Sequence, residues 1–268
     1  MHESDGEADE RSAYDLDAEE GHRHQDGVAE VGSGACGWGH GGDWEANLAG
    51  RLAQGGLRDE AMWCLTSFAG PCQRRSMPTA LAISGSPRLN GNTEQLLRRC
   101  LDRLATQGIP GELITLAGKT IHGCGACGGC RESKDSTCPG QSGDDFEAIF
   151  QAMLRADIIV VGSPVYFGSA TPEMMALLDR AGYVAGSNGK LFSRKIGGPI
   201  AVARRAGHNF TYAQLLMWYM INDMVVPGST YWNVALAREP GAVAQDAEGL
   251  ATVDRFADNL AWLAKRLS

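Results

Sequence analysis

No stretch of this chain approaches the roughly 18 consecutive apolar residues that a membrane-spanning helix needs. Its opening, MHESDGEADE, is acidic where a secretory signal would be basic and then apolar. Neither membrane insertion nor export is expected, and the sequence reads as that of a cytoplasmic protein. An excess of positive charge is missing as well. The 268 residues carry a net charge of -8, and residues 1–76 hold 6 Lys and Arg against 15 Asp and Glu, which leaves 18 against 17 for the remainder. That near-neutral body has no basic stripe with which to grip a phosphate backbone, so nucleic acid is not an expected partner. The glycine-containing turn at 84–93 is neither G-x-G-x-x-G nor a Walker A pattern, which argues against a dinucleotide fold and against an NTPase.

Large apolar side chains are nearly missing from the first thirty residues, which hold eleven acids and two Arg. They cannot bury enough surface to offset the entropy of ordering, so disorder is expected there. Residues 32–56 are glycine-rich, and only 57–68 suggests a short helix. His2, His22, His24 and His40 lie in this leader at spacings that match no ligand pattern, which favours a solvated tail over a metal-binding one. Met77 looks like a domain start. The expected organisation is an acidic, Gly- and His-rich leader over 1–76, disordered or irregular, and one domain over 77–268.

Past Met77 the signals alternate. Residues 79–83 form a short apolar run that ends in a Ser/Gly/Pro turn, and apolar residues at 96, 97, 100, 101 and 104 then follow helical spacing. Residues 111–116 read as a second strand, a cysteine-rich loop spans 122–143, and Asp144 and Asp145 open a helix through Arg155. The run DIIVV at 157–161 is apolar throughout, as in a strand buried on both faces of a parallel sheet. Thr171-Pro172-Glu173 starts another helix. Residues 196–203 are a fourth strand, 208–222 a helix, 224–226 the start of a fifth strand, and 250–267 a final amphipathic helix. Five strands alternating with helices predict a doubly wound parallel α/β sheet, with ligands outside the carboxyl ends of the strands.

The loops at that edge carry the chemistry. After the first strand comes SGSPRLNGNT (84–93), where free N–H groups and the dipole of the following helix favour an anion. Ser86, Asn90, Asn92 and Thr93 add short polar groups, and Arg88 supplies a charge that suits a phosphate dianion. The plainer alternative is a loop in which Asn92 caps the helix and Arg88 is solvated. After the third strand, Pro164, Val165, Tyr166, Phe167 and Gly168 offer two aromatics and accessible backbone, which suits the flat ring of a flavin; both aromatics are also compatible with a plain core role. ARRAGH (203–208) follows the fourth strand, with Arg205 or Gly207 placed to meet the carbonyl side of such a ring.

The segments ISGSPRLNGNT, SPVYFGSATPEMMALLDR and AVARRAGH together resemble the flavodoxin-fold NAD(P)H-dependent FMN reductases, most of all the iron-sulfur flavoproteins. The resemblance covers roughly 78–268 and none of the leader. It implies a flavodoxin-like five-stranded sheet, FMN phosphate contacts at Ser86, Arg88, Asn90, Asn92 and Thr93, and ring contacts at 164–168, with Arg205 and Gly207 less closely matched. It further implies NAD(P)H as electron donor, a quinone, small oxidant or ferredoxin-like protein as acceptor, and a homo-oligomer.

Cys124, Cys127 and Cys130 form C-x2-C-x2-C, and Cys138 precedes Pro139. Three thiolates within seven residues suit three corners of a cubane, and the intervening glycines let the chain wrap the sulfurs. A four-thiolate [4Fe-4S] site is the reading taken. Zinc, which usually takes separated cysteine pairs, and a cluster-free loop both stay open. The last spacing is longer than in a bacterial ferredoxin run, as the iron-sulfur flavoproteins tolerate. Cys100 reads as core, while Cys36, Cys64 and Cys72 have no reading. With the chemistry belonging to the flavin, no side chain is named as a catalytic acid or base. The expected activity is that of an FMN-dependent oxidoreductase, with a cluster-free FMN or quinone reductase and a flavodoxin-like electron carrier as alternatives.

Overall fold

The structure is a computed structural model, and it describes residues 77–267. The readings made for residues 1–76 lie outside the described residues. Chain order is β1 (Ala80–Ser84), α1 (Asn92–Thr106), β2 (Gly111–Thr115), α2 (Gly129–Ser133), α3 (Phe146–Arg155), β3 (Ile158–Pro164), α4 (Pro172–Ser187), β4 (Ile196–Ala203), α5 (His208–Ile221), β5 (Val234–Leu236) and α6 (Ala247–Leu267). The strands make one parallel sheet in the order β2-β1-β3-β4-β5. Among the described residues no helix is long and apolar enough to cross a membrane.

Every residue of β1 and β4 is buried, as is all of β3 except Pro164. That is why these strands read as continuous apolar runs: helices cover both faces of the sheet. On one face α1 and α6 pack through Leu96, Leu97, Leu104, Val253, Phe256 and Leu260. On the other, α3, α4 and α5 pack through Phe146, Phe150, Leu177, Leu178, Leu215 and Tyr219. Cys100 is fully buried in the first of these layers, and burial pushes its thiol up to about 12, so it is an inert core residue as the helical spacing predicts.

Two elements depart from the expected boundaries. The fifth strand lies at Val234–Leu236 rather than at 224–226. Val225 does pair with the start of β4, donating to the Lys195 carbonyl and accepting from Gly197. Pro227 has no N–H to continue that ladder, and the chain loops away before pairing resumes beside Ala201–Ala203. The helix expected to open at Asp144 and Asp145 has Phe146 as its first helical residue and Asp145 at its N-cap, while the Asp144 carboxylate accepts the N–H groups of Phe146 and His122 and pairs with Arg180. A further short helix, α2, interrupts the cysteine loop.

The sheet is closed in its middle by one hydroxyl. Tyr219 Oη accepts the Val161 N–H at 3.0 Å and lies 3.1 and 3.0 Å from the carbonyls of Ile159 and Gly198. Gly197 makes the room, since a Cβ there would stand 2.8 Å from Tyr219 Cε1. Tyr219→Phe removes this buried partner and is expected to cost about 1–3 kcal/mol. The check is urea unfolding: a lower midpoint at unchanged slope is the expected result, and an unchanged midpoint would show the hydroxyl to be idle.

Candidate functional site

The turn between β1 and α1 is built as an anion cradle. Ser86 Oγ accepts the Arg88 N–H at 3.1 Å and donates to the Arg88 carbonyl at 3.2 Å, which folds the turn over itself. Asn90 takes the left-handed φ of 53° that closes the turn; its N–H donates to the buried Glu94 carboxylate and its carbonyl accepts Gln95 Nε2. Gly91 precedes α1 with no side-chain cap, so the N–H groups of the first helical turn face the turn with no acceptor behind them. Those N–H groups, the helix dipole and the exposed Arg88 guanidinium together suit a phosphate.

This turn opens into a cavity of about 360 Å³ outside the carboxyl ends of β1, β3, β4 and β5. Ser86, Arg88, Asn92 and Thr93 line one side, and Pro164, Val165 and Tyr166 line the other. Of the remaining expected residues, Asn90 shapes the turn without reaching the lining. Phe167 and Gly168, at φ of 52° and 81°, form the tip of a tight hairpin in which Tyr166 and Ser169 exchange backbone bonds, and Phe167 points into solvent. Gly207 lies behind the lining: a Cβ there would come within 3.0 Å of Val165 Cγ1, so glycine lets the loop after β4 press against the loop after β3. In that loop Arg204 lines the cavity, and Arg205 does not.

Three features escape the sequence reading. The loop after β5, Ala237 to Pro240, forms the far wall and brings Arg238, which is paired with Glu239 at 3.2 Å. Asn92 neither caps α1 nor keeps its amide free: Nδ2 donates to the Glu239 carbonyl at 2.9 Å and Oδ1 accepts the Val243 N–H, which ties the phosphate turn to that wall. The third is Arg180, in the cysteine segment.

Cys124, Cys127, Cys130 and Cys138 are free thiols and line one small cavity of about 20 Å³ together with Arg180, Tyr183 and Val184 of α4. The Ala126 N–H donates to Cys124 Sγ at 3.4 Å, the kind of bond that stabilises a thiolate. A Cβ at Gly129 would stand 2.8 Å from Pro139 Cγ, so glycine there allows the two arms of the loop to meet. Among the described residues no three His, Cys, Asp or Glu side chains are gathered as a bound metal would hold them. The donor types suit a four-thiolate cluster: the four expected cysteines line that one cavity, and Cys100, the other cysteine among the described residues, lies in the core elsewhere. Helix α4 holds this loop in place. Asn188 accepts the Ser136 N–H and donates to the Cys130 carbonyl, and Arg131 donates to Tyr183 Oη at 2.8 Å. Arg180, 1 % exposed, pairs with Asp144, 3 % exposed, and stacks on the Phe146 ring at 3.9 Å.

With this geometry in place, comparison with known proteins decides the family. A family model described as NADPH-dependent FMN reductase matches residues 78–239. The chain belongs to that family. Within it, the chain is 34 % identical over 192 residues to an iron-sulfur flavoprotein of Methanocaldococcus jannaschii, covering 69 % of this chain and 96 % of that protein. It is 29 % identical over 180 residues to an iron-sulfur flavoprotein of Methanosarcina thermophila, covering 66 % and 91 %. Among solved structures, RosB superposes with a TM-score of 0.58 at 16 % identity over 71 % of this chain and 80 % of its own. A flavodoxin-type, WrbA-like protein of Agrobacterium tumefaciens superposes with 0.51 at 13 % identity over 72 % and 100 %. At those identities the structures establish the flavodoxin-like fold and nothing further.

In this member of the FMN reductase family, the Asp144 carboxyl is one of the acid groups that the fold holds low, with Asp135 and Asp258. Burial alone would push it up, but the His122 N–H, the Arg180 guanidinium and the Phe146 N–H outweigh burial and hold it below the ordinary carboxylate value. A lowered folded-state value means stability that is fully present above the ordinary carboxylate range and is lost as pH falls through the lowered one. Asp144→Asn leaves a buried unpaired Arg180 and is expected to cost about 3 kcal/mol at pH 7. Thermal unfolding followed from pH 7 to 3 should show wild type losing its advantage over the variant; parallel curves would mean Asp144 does not carry the effect.

Proposed function

We propose that this chain is an FMN-dependent oxidoreductase that also carries a [4Fe-4S] cluster. It passes electrons between NAD(P)H, or a protein donor such as a ferredoxin-like partner, and a small oxidant such as a quinone, in a cytoplasmic setting. The observation that carries the reading is the single cavity in which the anion cradle of the β1 turn meets the Pro164–Tyr166 wall: a phosphate-bearing ligand with a flat, partly apolar ring satisfies both at once. Bound there, FMN supplies the electron chemistry through its ring system. Arg88, the Ser86 hydroxyl and the first-turn N–H groups of α1 would hold the phosphate. Tyr166 and Val165 would cover one face of the ring, and Arg204 would stand near its polar edge. The cluster, held by Cys124, Cys127, Cys130 and Cys138, would supply single-electron exchange. The chain's task is then to bind, orient and limit water, and no acid or base side chain is required of it.

A cluster-free FMN or quinone reductase is the second reading. The spread of the four thiols, none gathered in a ligating group of three, favours it. Iron content separates the two.

Arg88→Ala removes a charge-assisted bond to phosphate of about 1.5–3 kcal/mol, so FMN affinity should fall roughly ten- to a hundredfold. Fluorescence titration reads this directly, and an unchanged affinity takes Arg88 out of the site. For the cluster, iron and acid-labile sulfide per chain after anaerobic reconstitution should approach about four each in wild type and drop sharply in Cys127→Ala, with FMN retained in both. Iron-free wild type whose FMN is still reducible by NAD(P)H would establish the cluster-free reductase.

A further inference from the structure

Arg180 occupies a position that α4 otherwise fills with apolar residues: Leu177, Leu178, Ala181 and Val184 are all fully buried beside it. A permanent cation in such a place costs several kcal/mol of desolvation unless every donor is used. The acceptors it finds lie in the cysteine loop or directly after it. Nη1 donates to the His122 carbonyl at 3.1 Å, two residues before Cys124, and to the Asp144 carboxylate. Nη2 donates to the Gln141 carbonyl at 3.0 Å, three residues after Cys138. One guanidinium therefore ties together the two ends of the loop that carries all four cysteines. Its Nε is buried with no acceptor, and the side chain itself forms part of the lining of the cysteine cavity, to which Asp144 does not contribute.

We infer that Arg180 is a positioning residue of the cluster site. It holds the ends of the cysteine loop closed, so that the four thiols face one cavity, and it places a fixed positive charge beside whatever that cavity holds. This rests on the cluster reading given above. The chemistry favours arginine over lysine, because a planar fork reaches acceptors in two directions at once, whereas an ammonium on a flexible stem would satisfy one end of the loop and release the other. The charge matters as well. Four thiolates make a strongly anionic site, and reduction of a cluster adds a further negative charge. A buried cation on the cavity wall stabilises that state and raises the potential.

The test compares wild type, Arg180→Lys and Arg180→Met after anaerobic reconstitution. Four measurements are made on each: iron and sulfide per chain, the rate of iron loss to a chelator, the cluster midpoint potential from a titration followed by electron paramagnetic resonance, and FMN affinity. FMN affinity is expected to match wild type in both variants, because the flavin loops come from other segments. Both should lose iron faster, by roughly ten- to a hundredfold, as expected when a group that orients metal ligands is removed. The Lys variant, which keeps the charge, should retain a potential near that of wild type, and the Met variant should shift to lower potential. Wild-type iron retention in the Lys variant overturns the clamp and leaves the cluster standing. Faster loss in both variants with no shift of potential in Met reduces Arg180 to a general core residue and overturns the inference. A wild type that takes up no iron removes the cluster reading and this inference with it. Should the Met variant fail to bind FMN, it is not folded, and iron retention in the Lys variant decides.

Discussion

The Thr171 hydroxyl donates to the Gly85 carbonyl across 2.8 Å, while the Gly85 N–H donates to the Gly162 carbonyl, also at 2.8 Å. These two bonds knot the turn after β1 to β3 and to the start of α4. The Thr171 N–H reaches Ser163 Oγ, whose own hydrogen is spent on the Pro164 carbonyl, so the loop after β3 is drawn into the same knot. Glycine is required at its centre, since a Cβ on residue 85 would stand 2.8 Å from Thr171 Oγ1 and 3.0 Å from Met174 Cβ. Without the knot the phosphate cradle and the aromatic wall would each keep their local shape but drift against one another. A ligand that spans both would then bind at the cost of ordering them.

How legible this arrangement is depends on where each constraint comes from. The central strands are readable because burial on both faces leaves unbroken apolar runs, and the cradle is readable because its residues are consecutive and sit between a strand and a helix. Ser86, Arg88, Thr93, Pro164, Val165 and Tyr166 are local in this sense, and all line the cavity. The Ala237 to Pro240 wall is not. It follows β5, and Met224–Val226 has better strand composition than the three residues that form that strand. With the strand displaced in the reading, the loop after it has no reason to be nominated. The choice between Arg204 and Arg205 turns on the geometry of a single bend. The engagement of Asn92 with Glu239, 147 residues away, has no local signature at all. Arg180 does have one, a basic residue inside the apolar stripe of a helix, but only the fold reveals that its acceptors lie at both ends of the cysteine loop.

The two sites are held by different kinds of order, with consequences for how each behaves. The cavity at the carboxyl edge is framed by strand ends whose register is fixed by the sheet. The cysteine segment has no core of its own. Cys124 and Cys127 are exposed, and left-handed residues at Ala126, Gly128, Lys134 and Ser136 turn the chain repeatedly without repeating hydrogen bonds. Its order comes from outside, from Arg180 and Tyr183 on α4 and from Asn188 at the C-terminal cap of that helix. A segment anchored in this way opens at a lower free energy than the sheet that carries it, and a metal bound by four of its side chains would repay its binding energy as local folding. The face of α4 that meets this loop therefore does for the cysteine site what the sheet does for the flavin cavity: it supplies from elsewhere in the fold the rigidity that the ligand-bearing residues lack.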